Sequence, residues 1–146
     1  MSKTESAHLL LKLYDLRREE VMRDARNWMM GFLPESPEEL MGTFMDDEKS
    51  AYLRMVISYW DNAATLVNHG AIDEEMFNDM NGEHIYVFSK IHPFLEDMRE
   101  AFGRDDFLAN LEKLIMRMPD AENVITGARE SMKKWADTKK EMSKGA

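Results

Sequence analysis

One stretch constrains this chain more than any other. Between Asp47 and Asn68, the residues Tyr52, Met55, Val56, Tyr59, Trp60, Ala63, Leu66 and Val67 recur at three- and four-residue spacing, the period of an α-helix. Leu53, Ile57 and Ala64 widen the apolar arc to about 200° of the helical wheel, with Arg54, Ser58, Asp61, Thr65 and Asn68 opposite. One neighbour cannot cover so wide an arc. The segment is expected to be a central helix packed on two sides, with Tyr59, Trp60, Ala63 and Leu66 largely buried. Gly70 supplies its C-terminal stop.

The flanking segments carry helical patterns too. Leu10, Tyr14, Val21, Ala25, Trp28 and Phe32 fall within about 60° of one another on a wheel advanced ~100° per residue, which predicts one long helix from Glu5 to Phe32. Thr4 or Ser6 would cap it, and Arg17 interrupts its stripe. Ser36-Pro37-Glu38-Glu39 spells a new helix start, with Ser36 as N-cap, Pro37 in the first helical position and Glu39 completing a capping box. A short turn to about Gly42 should follow.

Asp73-Glu74-Glu75 opens a short helix that ends at Asn81-Gly82. A stripe of His84, Phe88, Ile91, Leu95, Met98 and Phe102 predicts a helix over Glu83–Phe102 that must bend or restart at Pro93, whose ring crowds the carbonyl of Ser89. Further helices are expected from Asp106 to Met118 and from about Asp120 to Ala136. No segment alternates like a strand, and no repeat of 20–50 residues is present. The fold expected is all-α: an irregular bundle of about five to seven helices with a long N-terminal helix and no sheet. It should form a single domain over residues 1–146, with a frayed tail at about 137–146.

Charge is unevenly distributed along the chain. Residues 33–126 hold seven basic against twenty acidic side chains, net −13, whereas residues 127–146 hold six basic against three acidic, net +3. So acidic a body opposes nonspecific nucleic-acid binding, which needs Lys and Arg to release counterions. The opening Leu9-Leu10-Leu11 run is broken at Lys12, so no signal peptide is expected, and no run approaches the ~20 apolar residues of a membrane span. A cytoplasmic protein with neither nucleic-acid nor membrane partners is the resulting expectation.

The stretch Ser58-Tyr59-Trp60-Asp61-Asn62-Ala63-Ala64-Thr65-Leu66-Val67-Asn68-His69-Gly70-Ala71-Ile72-Asp73-Glu74-Glu75 resembles a widespread group of small helical bacterial proteins built on a domain of unknown function. In that group a second helix like Ile85–Arg99 follows, with a Pro before its final turns, and then a short amphipathic helix like Asp106–Leu114. The resemblance covers about residues 50–115. It implies a helical fold and carries no established activity.

The search for chemistry starts from four histidines and an absence of cysteine, which excludes thiolate catalysis and Cys-based metal sites. Glu5-Ser6-Ala7-His8 has the spacing of a di-metal bundle ligand pair, but no second copy accompanies it. His84 on an apolar stripe reads as a partly buried, hydrogen-bonded side chain, and His92, Glu96 and Arg99 read as an edge network. Ser58 and Ser89 lack a nucleophile-elbow context. The acidic pairs Asp46-Asp47-Glu48, Glu74-Glu75 and Asp105-Asp106 sit at helix starts, where the helix dipole favours them. The lysines Lys133, Lys134, Lys139 and Lys140 suit a helix C-terminus.

No catalytic, cofactor-binding or metal-ligating residue is therefore assigned, and the chain is expected not to be an enzyme. Fourteen methionines suggest either a soft core or an adaptable groove. The leading expectation is a noncatalytic helical protein-interaction or self-assembly module, a homo-oligomer or a binder of another protein, packing the stripe of its first helix. The alternative is a small-molecule or lipid sensor with a Met- and aromatic-lined cavity around Tyr59, Trp60 and Phe88.

Overall fold

A computed structural model describes residues 2–145, and among these the chain is all helix and turn. The helices are α1 (Lys3–Arg17), α2 (Glu20–Met30), α3 (Pro37–Phe44), α4 (Lys49–Asn68), α5 (Glu74–Met80), α6 (Glu83–Ile91), α7 (Leu95–Phe102), α8 (Ala109–Met116) and α9 (Ala121–Lys144), with a 3-10 turn at His92–Phe94 between α6 and α7. The helices outnumber the five to seven expected. Two of the extra ones arise where a predicted helix is divided.

The long N-terminal helix is not formed. It breaks at Arg18-Glu19, although neither Gly nor Pro is present there. Glu19 adopts an extended backbone (φ −59°, ψ 142°), and its carboxylate accepts from the N–H groups of Val21 (3.1 Å) and Met22 (2.9 Å), capping α2. These bonds hold its carboxyl below the usual carboxylate range. The buried apolar residues supply the reason for a break. They are Leu10 in α1 and Met22, Ala25 and Met29 in α2. On one straight helix at ~100° per residue, Leu10 would point roughly 60–120° away from those three. Breaking the helix brings both stripes onto one core and leaves Tyr14 and Val21, expected in the stripe, about half-exposed. The α1 cap is also earlier than expected. Ser2 accepts from the Glu5 N–H (3.1 Å) while the Glu5 carboxylate accepts from the Ser2 N–H (3.4 Å), a complete capping box.

The start of α3 follows the sequence signal, since the Ser36 hydroxyl accepts from the Glu39 N–H (3.1 Å) with Pro37 in the first turn. The carboxylate of Glu39 reaches back to the Glu35 N–H (3.0 Å), one residue beyond Ser36.

Helix α4 is central, packing mainly on α8 and α2 and also on α3, while α6 packs on α9. Its buried face is Leu53, Val56, Ile57, Trp60, Ala63, Ala64 and Val67. Leu66 is 38% exposed, contrary to the expectation of a core leucine. Tyr52, Met55, Tyr59 and Leu66 share one flank of the apolar arc, and all four are only partly covered or exposed. The arc is as wide as predicted, but its centre lies on the other flank.

Gly70 (φ +80°) and Gly103 (φ +63°) end α4 and α7 in the left-handed conformation that glycine adopts without a Cβ penalty. The start of α8 is later than predicted. Leu108 takes φ +55°, and the cap comes from another helix, with the Asp61 carboxylate of α4 accepting from the Leu111 N–H (2.9 Å). The tail expected to fray at 137–146 is helical to Lys144. Among the described residues no helix is long and apolar enough to cross a membrane.

Candidate functional site

Two polar clusters lie inside the bundle. In the first, Glu83 at the start of α6 accepts from the Arg26 Nε (3.0 Å) and Nη2 (2.8 Å) and from the Trp60 indole N–H (3.1 Å). Arg17 lies over the Trp60 ring at 5.4 Å, and the Tyr59 hydroxyl donates to the Leu13 carbonyl. One carboxylate thus joins α2, α4 and α6. Burial pushes the Tyr59 phenol up to about 12, out of the range for proton transfer near neutrality.

His84, in the same cluster, is fully buried, with its ring 5.6 Å from that of Trp60 and 5.0 Å from that of Phe77. Desolvation pushes it down to about 4, so it is neutral at pH 7. The hydrogen-bonded histidine expected from sequence is not found: neither ring nitrogen has a protein partner among the described residues. Sealed from solvent and wedged between aromatic rings, it packs as a flat hydrophobe and cannot exchange protons with a substrate.

The second cluster answers the Pro93 problem. Proline cannot donate to the Ser89 carbonyl four residues back, which leaves water or the hydroxyl of Ser89 as the local substitutes. That hydroxyl instead donates to Ile85 O (2.6 Å). The Arg129 guanidinium reaches across from α9, where Nη1 donates to Ser89 O (2.8 Å) and Lys90 O (3.1 Å) and Nη2 donates to Pro34 O (3.3 Å). Beside it the Lys90 ammonium, 3% exposed, donates to Met29 O (2.8 Å) and Phe32 O (2.6 Å) at the C-terminal end of α2. Burial and the neighbouring Arg129 push Lys90 down to about 8, so it remains a cation at pH 7 and completes the carbonyls of α2. Both Lys90 and Arg129 spend their donors on backbone.

The other sequence candidates are dispersed. His8 and His69 are exposed on α1 and at the end of α4, and Glu5 is occupied by its capping box. His92 faces Glu122 at 3.6 Å, while Arg99 pairs with Glu96 and Glu112, both at 2.9 Å, so the expected His92–Glu96–Arg99 network divides in two. Asp46 caps α4, Glu74 pairs with Arg117 (2.6 Å) and Asp106 with Arg104 (3.1 Å). The Ser58 hydroxyl donates to Met55 O. Among the described residues no three His, Asp or Glu side chains stand close enough to share a metal ion. Around Trp60 the rings of Tyr59 (4.9 Å) and Phe77 (6.3 Å) pack edge-on, and Phe88 is fully buried. The methionines divide too: Met22, Met29 and Met98 are core, whereas Met30, Met45 and Met142 are more than 70% exposed.

The feature left without an internal role is the outer half of α9. Along this helix Ala121, Ile125, Ala128, Met132, Trp135, Lys139 and Met142 follow one another at alternating spacings of four and three, a single stripe. Its first three members are buried against the bundle and Met132 is partly covered. From Lys133 onward every described residue is exposed, Trp135 at 65% and Met142 at 73%. The arm Lys133–Lys144 projects about 18 Å at ~1.5 Å per residue. Trp135, Thr138, Lys139, Met142 and Ser143 line a shallow concavity on it. On a ~100° wheel these residues share an arc of about 140° with Ser131 and Met132, in which Lys139 is the single charge. Glu130, Lys133, Lys134, Asp137, Lys140, Glu141 and Lys144 all lie outside that arc. The arrangement offers an apolar line of Met132, Trp135 and Met142 with Lys139 as its one charge.

A family model described as a domain of unknown function (DUF4760) matches residues 4–118, extending to both sides of the stretch that carries the sequence resemblance. No curated protein and no solved structure matches the chain. Helix α9 begins three residues beyond the matched region.

Proposed function

We propose that this chain, which belongs to the DUF4760 family, is a noncatalytic helical interaction module that docks a protein partner on the outer half of α9. The observation that carries the reading is the continuity of the α9 stripe: the same spacing that seals Ile125 and Ala128 against the bundle presents Trp135 and Met142 to solvent. A large aromatic beside a polarizable thioether on a projecting helix is the composition of an interface centre, where Trp and Met are enriched. The clusters around Glu83 and Arg129 support the noncatalytic part, because their polar groups are engaged in joining helices. This reading moves the docking surface from the first helix, where the sequence alone suggested it, to the last. It also places the module in the cytoplasm, in keeping with the absence among the described residues of a membrane-spanning helix.

The test is a photo-crosslinking amino acid placed at Thr138, on the arm's apolar arc, or at Lys133, outside it, in the expressing cell. Protein adducts are expected from position 138 and not from position 133. No adduct from 138, or equal yields from both, would refute docking on this face.

A further inference from the structure

We infer that the occupant of the α9 arm is a second copy of this chain, with the two arms paired antiparallel. The inference rests on the arm being a docking surface and adds the identity and direction of the partner.

Charge selects the partner. The segment 127–146 carries net +3 and residues 33–126 net −13. A second copy paired antiparallel sets its acidic body beside the outer, basic end of each arm, at Lys144. An anionic lipid surface would also attract a basic helix bearing Trp135, but the acidic body brought with it is repelled by that same surface. Nucleic acid is disfavoured on the same ground.

The arm's own residues select the direction. In a parallel pair the two acidic bodies, each net −13 over residues 33–126, would lie side by side. An antiparallel pair centred between Thr138 and Lys139 sets Trp135 opposite Met142 of the other copy, a favourable sulfur–aromatic contact. The same register leaves the two Lys139 side chains one residue apart at the centre of the pair, from where their long stems carry the ammoniums out to water. The bodies then sit at opposite ends. Ser131, Ala136, Thr138 and Ser143 flank the apolar line and are small enough for the helices to approach closely.

An overlap of about 18 Å, the length of the arm, buries on the order of 300–400 Å² per copy, below the ~800 Å² of a standard interface, so the dimer is weak and concentration-dependent. Sedimentation velocity of the full chain from about 1 to 500 µM should show a monomer of 17.1 kDa passing to a dimer. Trp135→Glu should weaken the association at least ~tenfold, the scale of a lost interface anchor, while leaving the melting curve unchanged because the arm is outside the core. The chain has no cysteine, so single-thiol variants report register directly. Thr138→Cys, beside the two-fold axis, should form a disulfide-linked dimer readily, and Ser131→Cys, on the same flank but two turns away, should not. Equal crosslinking from both positions overturns the antiparallel register. A chain that stays monomeric at 500 µM while position 138 crosslinks to a different protein in cells overturns self-pairing and leaves arm docking standing. Flotation of the wild type, but not of Trp135→Glu, with phosphatidylglycerol vesicles overturns it in favour of a lipid surface.

Discussion

Arg129 supplies hydrogen bonds that Pro93 makes necessary, and a double-mutant cycle measures that dependence. The guanidinium donates to Ser89 O at 2.8 Å and Lys90 O at 3.1 Å, and lies 5.8 Å from the Phe94 ring. Arg129→Ala leaves two carbonyls of the last turn of α6 without these donors. At roughly 1–3 kcal/mol for each buried group left unsatisfied, discounted because Arg129 is itself partly exposed, the loss should be about 2–4 kcal/mol. Pro93→Ala restores a backbone N–H that can reach Ser89 O, and on its own should change stability by no more than about 1 kcal/mol. In the Pro93→Ala background, Arg129→Ala should therefore cost about 1–2 kcal/mol less than in the wild type. Urea denaturation followed by far-UV circular dichroism gives all four free energies, and a coupling of that size stands clear of the ~0.3–0.5 kcal/mol scatter of independent sites. Additive costs, or a loss under half a kilocalorie for Arg129→Ala alone, would show that the guanidinium is not the substitute donor.

Three further outcomes follow from the interior. Glu83→Ala should destabilise by about 2–4 kcal/mol, since the buried Trp60 N–H and the Arg26 fork both lose their acceptor. The same change in a Trp60→Phe background should cost about 1–2 kcal/mol less, and equal losses in the two backgrounds would remove the indole from the account. His84, pushed from 6.5 down to about 4 by burial, binds protons in the unfolded chain before it does so in the fold. Stability should therefore fall by about 3 kcal/mol as pH drops from 6.5 through 4, and urea midpoints of His84→Phe across that window should lack this share of the slope. Leu53→Ala, at a fully buried site, should cost about 2–5 kcal/mol and Leu66→Ala, 38% exposed, under about 1; comparable losses would misplace the face of α4.

The sequence by itself determined the helical class and most of the boundaries that depend on nearby residues. Ser36 before Pro37, the glycines at 70 and 103, and the interruption at Pro93 all act within one turn, so their spacing along the chain is also their spacing in space. The long-range partners were decided by the tertiary structure. Arg17 interrupts the stripe near Glu19, but no Gly or Pro there ends the helix; it is the demand that Leu10 and Met29 face one core that divides it, with Glu19 capping the second piece. Leu66 and Val67 are equivalent by composition, and only the placement of α8 and α2 against α4 buries one and exposes the other. Asp61 at Leu111 and Arg129 at Ser89 are separated by fifty and forty residues, so the sequence held no sign that either would complete another helix's backbone. The α9 stripe lies between these cases. Its period was legible to Trp135, while the tail beyond Ala136 was expected to fray; that the helix runs on to Lys144, and where the bundle ends beneath it, are properties of the assembled fold.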